Sequence, residues 1–183
     1  SINNRTKSLG LFDTPEEVPL VKMEGWMVET FKLAKKKLNA DLVIFDPNNG
    51  DGALKARSKK TKKWGMYQFL DLNIEEKELI PMQFDSLYFY SFNSPYTEVF
   101  NNGKVGFYIS LWSYGQEARQ TVECKYEAFK RYNADGVDKL AVKRSGKWGW
   151  VDWLTGEEKS EFIYDSPGDL PYPHYEQKYW FDE

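Results

Sequence analysis

Lys147-Trp148-Gly149-Trp150-Val151-Asp152-Trp153 is the stretch on which the reading of this chain turns. Side chains of an extended strand point alternately to its two faces. Trp148, Trp150 and Asp152 would therefore share one face, and Gly149, Val151 and Trp153 the other. Two earlier stretches resemble it, Lys63-Trp64-Gly65-Met66-Tyr67 and Lys104-Val105-Gly106-Phe107-Tyr108. Their glycines are 41 and then 43 residues apart. A glycine inside a strand marks a bulge or the close approach of another segment. A neighbouring aromatic lying across the bare glycine backbone would account for a large ring and a missing side chain standing side by side. A tryptophan buries roughly 150–250 Å², so Trp64 and Trp148 are expected in the core. In the middle copy Val105 takes the place of the ring.

The similarity extends outward from the motif. Upstream lie alternating runs at Leu54-Lys55-Ala56-Arg57, Thr97-Glu98-Val99-Phe100 and Leu140-Ala141-Val142-Lys143. Short polar loops join them to the motif: Ser58 to Lys62, Asn101-Asn102-Gly103 and Arg144-Ser145-Gly146. Asn-Gly and Ser-Gly between alternating runs are hairpin signals. Downstream, each copy reaches an aromatic followed by an acid: Phe84-Asp85, Tyr126-Glu127 and Tyr164-Asp165. Each copy thus reads as a β-hairpin followed by a third strand. The sequence predicts a mainly β fold, an array of antiparallel three-stranded repeats over about 53–95, 96–137 and 138–166. These units belong to a single β-repeat domain spanning 41–183. A three-stranded unit cannot bury its apolar face alone, so neighbours must stack and the ends need caps.

With these residues in view, the chain resembles the WG-repeat (KWG) proteins of bacteria. Their pattern runs from an apolar strand through G-K-W-G-aromatic-[IV]-D and a glycine turn to a final Tyr-Asp. The third copy fits best, with Gly146, Lys147, Trp148, Gly149, Trp150, Val151, Asp152, Gly156 and Tyr164-Asp165. The first keeps Lys63-Trp64-Gly65, Ile80-Pro81 and Phe84-Asp85 but lacks the acid after the aromatic strand. The second has Val105 for tryptophan and Glu127 for aspartate. The resemblance covers about residues 53 to 166. It implies an array of antiparallel β units in an exported or envelope protein of a bacterium. It implies no catalytic residues.

Before the repeats, residues 1–40 read as a polar leader and an amphipathic helix. Asp13-Thr14-Pro15-Glu16-Glu17 is a helix-start signal, with an N-cap acceptor, proline at the first position and acids at the positive end. A longer helix is predicted over about 25–38. Met27, Phe31, Ala34 and Leu38 fall on one face, while Lys32, Lys35, Lys36 and Lys37 lie mostly off it. This helix would cap one end of the array. The tail 167–183, rich in proline and aromatics, would cap the other with Leu170, Tyr172, Tyr175, Tyr179, Trp180 and Phe181. The chain begins at Ser1 rather than Met, which suggests a processed or truncated product. Asp46-Pro47-Asn48-Asn49-Gly50-Asp51-Gly52 resembles a calcium loop but has Asp51 at the sixth position and Arg57 at the twelfth. A turn between strands suits it better.

The 183 residues carry 25 Lys plus Arg against 28 Asp plus Glu, a net charge of −3. That balance disfavours a generally basic nucleic-acid binder. No apolar run is long enough for a membrane-spanning helix. One cysteine, Cys124, excludes an intramolecular disulfide, and one histidine, His174, disfavours a His-based zinc site. Alternation places Cys124 inward with Val122 and Tyr126. No nucleophile elbow, P-loop or dinucleotide fingerprint is present. Asp152 and Asp165 recur as repeat features, for which turn and strand-end hydrogen bonding is the simpler role than paired-carboxylate catalysis. No catalytic, metal or cofactor residue is assigned.

Aromatics at 17% are the compositional outlier. Trp112, Tyr114, Trp153 and Tyr175 are the candidates for ligand or partner contact. Trp64, Gly65, Gly106, Trp148, Gly149, Asp85 and Asp165 are assigned to holding the repeat. Charge is uneven. Lys55, Arg57, Lys59, Lys60, Lys62 and Lys63 fall between Gly52 and Leu70 without an acid, whereas Gly156 to Glu183 holds eight acids against Lys159 and Lys178. Such a polarity would orient a charged protein partner. The expected function is a non-catalytic binding module for a protein or peptide, an immunity-type protein being one version. The alternative is a carbohydrate or cell-wall binder of the envelope, since Trp and Tyr rings stack on sugar faces.

Overall fold

A computed structural model describes residues 25–46, 53–68, 78–89, 96–109, 117–134 and 137–172. The fold is mainly β, with three antiparallel sheets and one short helix among the described residues. The helix is α1 (Gly25–Lys37). Eleven strands follow: β1 (Ala40–Phe45), β2 (Ala53–Ser58), β3 (Trp64–Gln68), β4 (Glu78–Phe84), β5 (Ser86–Leu87), β6 (Tyr96–Asn101), β7 (Lys104–Ile109), β8 (Arg119–Tyr126), β9 (Ala128–Ala134), β10 (Val137–Arg144) and β11 (Lys147–Val151). The sheets are β1-β2-β3-β4, β5-β6-β7-β8 and β11-β10-β9. The chain divides into two compact units, residues 1–97 and 98–183, and the division falls within β6.

In the first unit, α1 ends as its sequence dictates. Lys35, Lys36 and Lys37 occupy the last turn, where positive charge meets the negative end of the helix. Asn39 then takes a left-handed φ of 49°, which asparagine tolerates better than most residues. The expected apolar face is present at Phe31, Ala34 and Leu38, all buried. They pack with Val43 and Phe45 of β1, Leu54 and Ala56 of β2 and Tyr67 of β3. A buried Phe, Leu or Val contributes roughly 1.5–3 kcal/mol, so this layer fixes the helix on the sheet. Met27, counted on the same face, lies outside the described side chains, as does the helix-start signal at 13–17.

β1 lies where the turn between strands expected at 46–52 requires a strand, ahead of the first repeat. It pairs antiparallel with β2, Val43 facing Ala56 and Phe45 facing Leu54. The Asp46 N–H donates to Ala53 O at 2.9 Å, which extends the β1–β2 pairing by one residue on each strand. The rest of the calcium-like stretch, 47–52, lies outside the described residues. The next connection, from β2 to β3, is closed by Ser58 N–H donating to Lys63 O and Lys62 N–H to Ser58 O, each at 2.8 Å.

In the second unit the tips of the hairpins β6–β7 and β10–β11 are two-residue turns with both central residues at positive φ. Asn102 and Gly103 have φ 53° and 73°, and Ser145 and Gly146 have 51° and 76°. This is the conformation that matches the twist of the flanking strands. β10 pairs on its other side with β9, another strand beyond the expected three per unit. The third hairpin lacks a continuous third strand: the returning segment makes isolated bridges, Val151 with Glu158 and Trp148 with Tyr164. Leu170 is buried against Ala141 and Trp150, with Tyr132, Trp148, Tyr164 and Tyr172 around them. The beginning of the tail therefore covers this sheet as expected. Tyr175, Tyr179, Trp180 and Phe181 lie outside the described residues.

Candidate interaction surface

The motif residues of the first two hairpins share one piece of geometry, and those of the third approach it. In the first hairpin Trp64 faces Phe84 and Met66 faces Ile80, so the one residue between them on β3, Gly65, opposes three on β4. In the second, Val105 faces Tyr126 and Phe107 faces Val122, the same count. In the third, Trp148 faces Tyr164, and the Trp150 N–H donates to Ser160 Oγ at 3.0 Å. Each bulge lies opposite a glycine. A methyl group on Gly65 would stand 2.6 Å from Ile80 O and 2.8 Å from Met82 N. On Gly106 it would stand 2.4 Å from Val122 O. On Gly149 it would stand 2.6 Å from the Phe162 ring. The aromatic expected across the glycine is thus found at Gly149. At Gly65 and Gly106 the neighbour is the bulged backbone itself.

Flanking ion pairs repeat in part. Lys63 Nζ donates to Asp85 Oδ1, and Lys147 Nζ to Asp165 Oδ1. The Lys147 ammonium, by hydrogen bond and charge, holds the exposed Asp165 carboxyl below its usual range. Glu127 accepts instead from the Gly146 N–H at 3.4 Å. Asp152 caps a turn, its Oδ1 accepting from Leu154 N–H at 2.8 Å and Thr155 N–H at 3.2 Å. These roles keep Asp152 and Asp165 to strand-end hydrogen bonding.

Several titratable groups are displaced by their surroundings. Lys55 is buried, its Nζ donating to Leu87 O at 3.2 Å and lying 4.8 Å from the Phe89 ring centre and 5.7 Å from that of Trp64. Burial pushes the ammonium down to about 7, partly opposed by the Asp46 charge. In the second unit Glu158 takes a forked contact from Arg144, with Nε at 3.1 Å and Nη2 at 2.8 Å from Oε2, and accepts from Tyr126 Oη at 3.2 Å. Burial raises the Glu158 carboxyl, but the Arg144 hydrogen bonds and charge outweigh it and leave it lowered. Burial and the Glu158 charge push the Tyr126 hydroxyl well above its usual range. The hydroxyl is the donor in its bond to Glu158.

Of the four candidate contact residues, Trp153 is described, and Trp112, Tyr114 and Tyr175 lie outside the described residues. β11 ends at Val151, so Trp153 sits in the following turn and not on the strand face that alternation assigns it. It is half-buried, and its carbonyl accepts from Thr121 Oγ1 at 2.5 Å. Trp64 is buried as expected, whereas Trp148 is half-buried because its sheet is completed there only by the Tyr164 bridge. Cys124 is also half-buried; its thiol lies 3.5 Å from Val99 O. His174 lies outside the described residues. No group of three potential metal ligands occurs among the described residues, and no described helix is long and apolar enough to cross a membrane.

A corner of the first unit gathers several lysines. The Lys59 N–H donates to Asn39 O at 2.9 Å, which ties the β2–β3 loop to the end of α1. Exposed Lys36 and Lys37 of the helix are thereby brought beside exposed Lys59, Lys60 and Lys62 of the loop. Arg57 grips Asp41 with two hydrogen bonds, Nε to Oδ1 at 2.9 Å and Nη2 to Oδ2 at 3.0 Å, and Lys62 adds a third. The Arg57 hydrogen bond above all, then that of Lys62, drives the Asp41 carboxyl far below its usual range despite opposing desolvation. Sequence spacing shows the loop lysines and the helix lysines as separate runs. The bond that joins them has no signature in residue type. The chain matches no family model, no curated protein and no solved structure.

Proposed function

We propose that this chain is a WG-type repeat array acting as a non-catalytic binding module for a protein or peptide partner. One observation supports the reading: the same bulge stands opposite the motif glycine in the first two hairpins, and in the third a ring is packed against the equivalent glycine. The motif's rings, glycines and acids hold strand to strand. Variation is left to the loops and edges, as in repeat scaffolds that present a surface assembled from equivalent units. An immunity-type protein that neutralises a toxin is the specific version of this reading.

The test is affinity capture from lysate and culture medium of the source organism, read by mass spectrometry, then binding measured with the purified captured protein. One protein retained in fixed stoichiometry through roughly 0.5 M salt is the expected result, because exposed charge pairs alone are screened there. Retention of no protein, together with quenching of tryptophan fluorescence by cell-wall glycans, would replace the reading with carbohydrate binding.

A further inference from the structure

We infer that the basic corner formed by the end of α1 and the β2–β3 loop is the docking surface for an acidic protein segment, one carrying several Asp or Glu side chains. The inference rests on the reading of the chain as a protein-binding module and assigns that module a place and a partner chemistry. Lys32 and Lys36 are one helical turn apart and both exposed. With a rise of about 1.5 Å per residue, their row runs on to Asn39, where the hydrogen bond from Lys59 hands it to the loop. Lys59 and Lys60 continue it, fully on the surface. Around them lie Lys37, Lys62, Lys63 and Arg57, against Asp41 and Asp85. Even with exposed Glu29 on the helix, positive charge exceeds negative among the described residues of the corner, on a chain whose net charge is −3.

One further observation bears on the class of ligand: the corner already binds carboxylates. Asp41 is held by Arg57 and Lys62, and Asp85 by Lys63. These contacts show that the cations of the corner reach carboxylate oxygens in hydrogen-bonding geometry. A nucleic-acid backbone is less well served, because a chain of net charge −3 repels a long polyanion that extends beyond the corner. The described residues of the loop offer no ring on which a base stacks, since 58–63 are Ser, Lys, Lys, Thr, Lys and Lys.

The experiment uses the full chain and a fluorescein-labelled peptide of alternating Glu and Gly residues, read by fluorescence anisotropy at about 50 mM and 300 mM salt. A single-stranded oligonucleotide of equal charge is the second probe. Variants are K36E/K59E/K60E and a control, K104E/K143E, in the second unit. Binding of the peptide, weakened about tenfold or more by the triple variant and less than twofold by the control, is the expected result. Equal weakening by both variants would overturn the inference, since binding would then follow net charge and not place. Tighter binding of the oligonucleotide than of the peptide would overturn it in favour of nucleic acid. Circular dichroism of the triple variant checks folding, and K36Q/K59Q/K60Q gives a milder series should the reversals unfold the chain. The same variants separate this inference from the broader one. A captured partner that binds the triple variant as well as the parent leaves the protein-binding reading standing and removes the corner. A corner that takes the acidic peptide while no protein is captured does the reverse.

Discussion

Gly65 and Gly149 hold the same place in two hairpins but face different material. Beside Gly65 the bulged backbone of β4 comes within 2.6 Å of where a side chain would begin; beside Gly149 it is the ring of Phe162. Opposite Met66 stands Lys55, and opposite Trp150, at the equivalent register, stands Ala141. The first hairpin is completed by a seven-residue strand, the third by two isolated bridges. The contrast teaches that the glycine is required by a close approach, which the chain makes in two ways. Where a strand continues, glycine admits main chain. Where it does not, glycine admits a ring that fills the gap the strand would have filled.

The sharpest way to break this comparison is Gly65→Ala. Main chain cannot step aside without disturbing the β3–β4 ladder, so a loss of about 3 kcal/mol is expected in urea unfolding followed by tryptophan fluorescence, the upper range for overpacking. A loss within experimental error would mean that the bulge is soft. Lys55 supplies the next largest effect. Its amine is held near 7 in the folded protein, while the unfolded chain keeps it protonated to about 10.4. Between these values the unfolded state binds more protons, so stability rises with pH, by at most about 1.4 kcal/mol per pH unit. Urea midpoints from pH 7.5 to 9 should climb in the parent and climb less in Lys55→Met. Parallel slopes would remove Lys55 as the cause.

Gly149→Ala should lose only about 1 kcal/mol, because a side chain can turn where a backbone cannot. Combining it with Phe162→Leu should cost less than the sum of the two single changes, a coupling that a double-mutant cycle reads directly. Additive losses would show that ring and glycine do not meet. The smallest effect concerns the tips. Lys147→Met should let the Asp165 carboxyl return upward toward its ordinary value, seen as a shift of its titration by NMR, with little change in overall stability.

Much of this architecture is legible in residue type. The hairpins over 96–109 and 137–151 announce themselves because Asn102-Gly103 and Ser145-Gly146 adopt the positive φ their turns require. The helix announces itself through the spacing of Phe31, Ala34 and Leu38. β1 and β9 are less legible for a physical reason. β1 follows α1 after only Leu38 and Asn39, without a glycine or proline to mark the change, and its pattern of burial is irregular. β9 reads Ala-Phe-Lys-Arg-Tyr-Asn-Ala, in which charge interrupts any alternation. The basic corner was half legible: Lys59, Lys60, Lys62 and Lys63 stand out as a run, but their union with Lys36 and Lys37 depends on one main-chain hydrogen bond. Trp153 shows the opposite failure. Alternation carried two residues too far assigns it a strand face, whereas Asp152 has already turned the chain.

Every pairing within these sheets joins strands that are neighbours along the chain, β1 through β4, β5 through β8 and β9 through β11. That order bears on how the molecule is made. Closing a short loop is entropically cheaper than closing a long one, and chains dominated by near-neighbour contacts reach their native state faster than those that must wait for distant segments. Each sheet has all its strands as soon as its own stretch has left the ribosome. At the pace of synthesis, roughly 5–20 residues per second, the first sheet has seconds to form before the last is complete. Assembly of this chain can therefore proceed in the order in which it is read.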